Sequence, residues 1–193
     1  MAKRWIIGID EVGRGPIAGP VTVCAFMATQ TFCKKLKGQF DSKKLTPQIR
    51  VSISRDLHKM RNEGLILYRI VSVSEKVIDQ KGIVYAVNLA ISRALKLLRG
   101  LNPKLVQILL DGGLHAPEIY KNQRTIVHGD ARVPVIGLAS VMAKVHRDKL
   151  MTNLGTRYPN WGFEKHKGYG TRKHYKALRK HGPSLIHRRS YLH

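Results

Sequence analysis

The chain has 193 residues, enough for one domain with a substantial core, and its 43% hydrophobic content excludes a globally disordered protein. Lys plus Arg is 35 against 12 Asp plus Glu, a formal charge of +23 that draws polyanions, with nucleic acid the expected partner and an anionic membrane surface the weaker alternative. The basic N-terminus MAKRWIIGID has too short an apolar run for a signal peptide or a membrane span, so a cytoplasmic protein with no membrane partner is expected. Cys24 and Cys33 lack metal-ligand spacing and read as reduced thiols.

In chain order, RWIIGIDE reads as a buried strand, and AGPVTVCAFMAT as a second strand after a Gly/Pro turn. PQIRVSISRDLHKMRN, residues 47–62, has helical spacing at Ile49, Ile53, Leu57 and Met60, with Pro47 and Gly64 suited to its ends. LILYRIVSVS is a β-branched third strand. GIVYAVNLAISRALKLLRG predicts a long helix with Val84, Val87, Ile91, Leu95 and Leu98 on one face. KLVQILLDGG gives a short apolar strand ending on Asp111, and RTIVHGD a weaker strand ending near Asp130. IGLASVMAKVHRDKLM follows as a helix with small residues on one side, and TRKHYKALRKHG as a last basic helix. Strands in succession followed by β-α alternation predict an α/β fold, a mixed sheet flanked by helices. No composition break demands a second domain: residues 1–193 read as one domain, with 155–193 a basic C-terminal extension.

With only twelve acids, each position can be weighed. Asp56, Glu63, Glu75, Asp79 and Asp148 lie in or beside polar helical sequence, Glu118 and Glu164 in loop-like sequence, and all read most simply as solvated surface. Asp10, Glu11, Asp111 and Asp130 instead fall at or near predicted strand ends, where sites in such sheets collect. A carboxylate that ends a buried strand is unfavourable without a partner, and several converging carboxylates repel one another and raise their own pKa values. A divalent cation resolves that conflict. Oxygen ligands without Cys or a clear His pair suit Mg²⁺ or Mn²⁺ better than zinc. Strand alternation sends Asp10 and Glu11 to opposite faces, so both reach one site only if the strand ends or twists there.

The segment from Gly13 to Gly19 misses the dinucleotide-binding spacing by one residue and opens no obvious helix. Its glycines let backbone groups approach a ligand, and Arg14 offers a phosphate-matching fork; the bland alternative is a tight turn whose arginine neutralises a nearby acid.

GIDEVGRGPIAGPV, DSKKL, LLDGG, HGDARVPVIGLASVMAKVHRD and HKGYGTRKH, in this order and over nearly the whole chain, resemble ribonuclease HII. The resemblance implies a ribonuclease H-like mixed five-stranded sheet and a metal-dependent endonuclease. Its substrates would be RNA/DNA hybrids and duplex DNA containing ribonucleotides. The family's four catalytic acids fall on Asp10, Glu11, Asp111 and Asp130, its ribonucleotide-reading turn on Gly13, Arg14 and Gly15, and its sugar-packing tyrosine on Tyr169. Read from the residues alone, Tyr169 would be half-buried packing. Gly113 stands where the family often has asparagine, and IGLAS replaces the usual small-residue run; neither touches an expected acid. The chain begins just before its first strand, which favours HII over ribonuclease HIII with its additional N-terminal domain.

On this reading two cations activate water and hold the departing 3′ oxygen, giving 3′-hydroxyl and 5′-phosphate ends. Beyond Glu164 stand nine Lys or Arg and five His but no acid, a composition suited to gripping phosphate. Lys43, Lys44, Ser140 and Lys144 are further candidate phosphate contacts, while His166, His174 and His181 lack a ligand pattern. A monomer is expected, and no glutamine-led, aromatic-ended clamp-binding peptide is visible at the C-terminus. A non-catalytic basic RNA-binding protein is the main rival. A second is another metal nuclease of the same fold, in which adjacent DE and GRG would be unexpected.

Overall fold

A computed structural model describes residues 5–35, 45–98 and 100–192. The apolar N-terminal stretches form β1 (Trp5–Val12) and β2 (Val21–Thr29), and the β-branched third stretch forms β3 (Leu67–Val73), all antiparallel. β4 (Gln107–Asp111) joins the free side of β1 in parallel, and β5 (Gln123–Ile126) joins β4 in parallel. The order β3-β2-β1-β4-β5 is the mixed five-stranded sheet expected from the sequence.

Helices cover both faces. α1 (Gln30–Lys35) runs on from β2, and α2 (Pro47–Asn62) starts where Thr46 accepts a hydrogen bond from the Ile49 amide with Pro47 in the first turn. α3 (Glu75–Lys81) and α4 (Ile83–Leu97) follow β3. On one face Ala86, Val87, Ala90, Ile91 and Leu95 of α4 pack on Ile7, Ile9, Val21 and Val23. On the other, α2 and the 24-residue α6 (Pro134–Arg157) pack on Ile6, Cys24, Phe26 and Ala28.

Ile49 and Val84 depart from the predicted apolar faces: they are 46% and 61% exposed, each in the first turn of its helix. Helical spacing identifies a side but not how far the partner surface extends beneath it. The strand predicted to end near Asp130 stops at Ile126; left-handed His128 turns the chain into the short helix α5 (Gly129–Arg132), so Asp130 is helical. The predicted small-residue helix extends at both ends to become α6.

Its first turn lies directly on β1. A Cβ at Gly8 would stand 2.3 Å from the carbonyl carbon and oxygen of Val135, so only glycine permits this approach. That closeness brings Ser140, further along α6, to the β1 acid Asp10.

The C-terminal segment folds back on the turn between β1 and β2. α7 (Phe163–His166) and α8 (Arg172–His181) precede it, and Ala18, Met151, Phe163 and Ile186 form a small separate core. The Gly19 amide donates to Ile186 (2.8 Å) and the Arg188 amide to Ile17 (2.9 Å). Asp79, read as solvated surface from the sequence, accepts from the amides of Arg189 and Ser190 (both 3.0 Å) and from the Ser190 hydroxyl (2.6 Å). Burial opposes its ionisation, but those hydrogen bonds and nearby Arg188 win and hold its carboxyl below the ordinary value. It ties the end of the chain to α3.

Gly8→Ala is expected to push α6 off the sheet and destabilise the protein by about 3 kcal/mol, measured by denaturant unfolding.

Candidate active site

The parallel register sets Ile9 opposite Leu110, so the next step along both strands brings Asp10 beside Asp111. Both lie on the α6 side of the sheet, the parity shared by Ile6 and Leu109. Asp10 is 5% exposed and accepts from the Glu11 amide (2.8 Å) and the Ser140 hydroxyl. Burial, with the nearby charges of Glu11 and Asp111, pushes its carboxyl up to about 8. Glu11 is also raised, by burial above all; the Arg14 guanidinium at 3.5 Å partly offsets this, and Asp111 adds to it. Three acids therefore press on one another's charge.

Asp130 sits one connection further back. Its side chain is buried, and its amide, with that of Gly129, donates to Oδ1 of Asp111 (3.3 and 2.6 Å). A Cβ at Gly129 would stand 2.7 Å from the Ile136 Cδ1 and 3.3 Å from Oδ1 of Asp111, so the helix start packs closely there. Among the described residues no three His, Cys, Asp or Glu side chains are gathered closely enough to hold a metal ion as they stand. The chemistry of the donor set nonetheless fits a hard divalent cation: all donors are oxygen, and burial first, then neighbouring acid charge, raises the carboxyls of Asp10 and Glu11. Cys24, paired with Asp10 across β1 and β2, is no competing ligand, since burial and that neighbouring acid push its thiol up.

The two turns expected to meet substrate lie against each other. The Ile17 amide donates to the Gly168 carbonyl (3.0 Å), and a Cβ at Gly168 would come within 2.4 Å of the Ala18 oxygen. Arg14 and Tyr169 are both exposed beside this junction. At Gly15 a Cβ would meet no protein atom within 4 Å, which leaves that side of the turn open.

Two arginines that sequence reasoning passed over lie beneath. Arg147 and Arg188 are wholly buried. Arg147 donates to the carbonyls of Pro20 (3.0 Å), Lys167 (2.9 Å) and Ala18 (3.3 Å), and so joins the two turns. Arg188 donates to those of Gly19 (2.9 Å), Arg14 (2.8 Å) and Gly13 (2.6 Å).

Part of the basic extension also proves to be interior. His174 and His187 are buried and joined through their Nε2 atoms at 2.9 Å. Nδ1 of His187 accepts from the Ser184 amide (2.8 Å), so its Nε2 carries the proton and donates to His174. Nδ1 of His174 then donates to the Tyr169 carbonyl (2.9 Å), fixing the backbone of the tyrosine turn. Burial lowers both histidines to about 4.

Of the remaining candidates, Ser140 meets Asp10, and half-buried Lys144 lies 3.9 Å from Asp148. Lys144 is lowered by burial first, with Arg50, Arg147 and Lys167 adding their repulsion. Lys43 and Lys44 fall outside the described residues.

A mixed sheet in this order, with acids at the adjoining ends of its central parallel pair, defines a ribonuclease H-like domain. The crystal structure of ribonuclease H2 from Pyrococcus horikoshii has the same fold: TM-score 0.75, 24% identity, 97% of this chain and 94% of that one. Bst-RNase HIII in complex with Mn²⁺ superposes with TM-score 0.66 at 15% identity, over 94% of this chain and 64% of that one. A ribonuclease HII of Caldicellulosiruptor bescii is 41% identical over 189 residues, 98% of this chain and 87% of the relative. The Ribonuclease HII family model matches residues 7–193, and the chain belongs to that family. It is a metal-dependent endoribonuclease of the ribonuclease H class, not the non-catalytic RNA-binding protein that its charge alone would also fit.

Asp10→Asn removes a buried acid from an acidic neighbourhood and is expected to raise the thermal midpoint of the metal-free protein by on the order of 5 °C. Adding Mn²⁺ then stabilises the wild type and leaves the variant unmoved in a thermal-shift assay. The histidines predict a pH effect. Because they titrate near 4 when folded and near 6.5 when unfolded, their contribution is full above pH 6.5 and is lost as pH falls toward 4. The thermal midpoint of the wild type should drop across that window, and that of a His174→Asn/His187→Gln double variant should drop less.

Proposed function

We propose that the enzyme cleaves the RNA strand of RNA/DNA hybrids and cuts 5′ of ribonucleotides embedded in duplex DNA, leaving 3′-hydroxyl and 5′-phosphate ends. The observation that carries this reading is the setting of Asp10, beside Asp111 and Glu11, next to two interlocked turns that present open backbone and an exposed tyrosine.

Asp10, Glu11, Asp111 and Asp130 would hold Mg²⁺ or Mn²⁺, two ions in the substrate complex. Bound there, the ions supply positive charge to activate water and to stabilise the departing 3′ oxygen. Ser140 and the Glu11 amide orient the Asp10 carboxyl, and the Gly129 amide orients that of Asp111. Recognition belongs to the turns. A 2′-hydroxyl both donates and accepts, and the backbone of Gly13, Arg14 and Gly15 can meet it because no side chain intervenes at the glycines. Tyr169 offers a flat face to the neighbouring deoxyribose, with its carbonyl fixed by His174. Lys144, near Lys167 and Arg50 on the α6 side, adds charge for a phosphate, as Lys43 and Lys44 would.

The protein acts as a monomer on this reading. Among the described residues no helix is long and apolar enough to cross a membrane.

Labelled duplexes with no, one or several ribonucleotides, with the product ends mapped, test the assignment. Asp111→Asn is expected to abolish cleavage while hybrid binding persists; unchanged turnover at saturating Mg²⁺ rejects it. Tyr169→Ala should slow cleavage at a single embedded ribonucleotide more than it weakens binding. Binding should also fall steeply between low and physiological salt, and a flat titration would mean that the +23 charge does not engage phosphate.

A further inference from the structure

Two cations buried under a loop, with carbonyl oxygens as their hydrogen-bond partners, are an unusual foundation. Arg188 is fully enclosed and spends its guanidinium on three backbone oxygens of one loop, at Gly13, Arg14 and Gly19. The Tyr191 ring lies 5.2 Å from its central carbon, and the Tyr191 hydroxyl donates to the same Arg14 oxygen (3.3 Å). Asp79 and Glu75 act on Arg188 only from a distance.

What this does to the loop follows from peptide geometry. The described chain contains no cis peptide bond, and in a trans peptide the carbonyl of one residue and the amide of the next point in opposite directions. Drawing the Gly13 oxygen inward turns the Arg14 amide outward; drawing the Arg14 oxygen inward does the same for the Gly15 amide. Arg14 and Gly15 are exposed, and a Cβ on Gly15 would meet nothing within 4 Å, so the turn is open there. Successive amides on a turn form a recess for an electronegative oxygen, and the buried positive charge behind them favours that occupant.

The loop tolerates no alternative seat. Gly13 has φ +93°, and a Cβ there would stand 2.3 Å from Nε of Arg147. Arg147 holds the same loop at Ala18 and Pro20 and reaches across to Lys167, whose own left-handed backbone (φ 52°) leads into Gly168 and Tyr169.

We propose that Arg188 is a positioning residue for ribonucleotide recognition: by holding the Gly13 and Arg14 carbonyls inward, it aims the Arg14 and Gly15 amides at the sugar-phosphate of the ribonucleotide, with Arg147 locking the tyrosine turn to the same loop. This rests on the reading of Gly13–Gly15 as the substrate turn. Selectivity for ribose is then set partly by a side chain that never touches the substrate.

Arg188→Lys keeps the charge but replaces a three-way fork by one nitrogen. The measurement is the ratio of affinities for a duplex with one embedded ribonucleotide and the same all-DNA duplex, taken in the cleavage-deficient Asp111→Asn background. The loss of charge-assisted hydrogen bonds should lower this ratio about tenfold or more, with affinity for the all-DNA duplex within about twofold of the parent. A merely structural role would weaken both duplexes together, and that result, or an unchanged ratio, overturns the proposal. Gly15→Ala runs in parallel. If it lowers the ratio while Arg188→Lys does not, the positioning role falls and the substrate turn stands; if neither changes the ratio, the substrate turn falls as well. Should Arg188→Lys fail to fold, Asp79→Ala loosens the same segment from the surface. It should lower the ratio about threefold through weakened hydrogen bonding, and an unchanged ratio overturns the proposal there too.

Discussion

The site depends on one unfavourable placement: a carboxyl buried at the end of the central strand, beside a second acid on its parallel neighbour. Asp10 resists ionisation there, since burial and then the charges of Glu11 and Asp111 push its carboxyl up to about 8. Much of the surrounding architecture serves to hold that group in place. Gly8 lets α6 settle onto β1, α6 delivers Ser140, and the parallel pairing of β1 with β4 brings up Asp111. A protein selected for stability alone would put an apolar side chain at this position. On the proposed reading, the cation of a metal-dependent enzyme would supply the missing charge.

Opposite signs are treated in opposite ways. Asp10 and Glu11 lie among other acids, and burial first of all holds both above the ordinary carboxylate value. Each nitrogen of the buried guanidiniums of Arg147 and Arg188 donates to a carbonyl oxygen, which spreads their charge without cancelling it. A carboxylate partner would neutralise each arginine and leave the loop carbonyls free to rotate. Carbonyl partners keep both the charge and the loop orientation.

The sheet and principal helices were legible because their signals are local. Apolar runs bounded by glycine, and Pro47 behind a capping Thr46, specify elements within a short window. The four acids stand out as candidates for a different reason: in a chain so basic, an acid at or near the end of an apolar run is conspicuous. Asp130 shows the limit. Nothing in RTIVHGD distinguishes a strand that continues to the aspartate from one that stops at Ile126 and turns through left-handed His128. Asp79 lies at the surface as read, but its partners, the amides of Arg189 and Ser190, are distant in sequence and left no mark on it. The two arginines were invisible for the same reason. One of thirty-five Lys or Arg carries no mark of burial, and the carbonyls that would betray it belong to every residue.

The tyrosine turn ties these observations together. Its backbone is held by His174 from one side, by Arg147 through Lys167 from another, and by the Ile17 amide at Gly168. Each holder belongs to a different part of the chain, and two of them, Arg147 and Ile17, also belong to the framework of the Gly13–Gly15 turn. Displacing one turn must therefore displace the other. The left-handed backbone at Lys167 and His128, roughly 1–2 kcal/mol each above a relaxed conformation, is found where the tyrosine turn and the Asp130 helix begin. Strain of this kind persists only where surrounding contacts outweigh it. Here those contacts are the ones that join the Gly13–Gly15 and Tyr169 turns to each other and Asp130 to Asp111. On the proposed reading, recognition and catalysis would share this framework, and a ribonucleotide seated in the turns would have its phosphodiester brought to the acids by the same contacts.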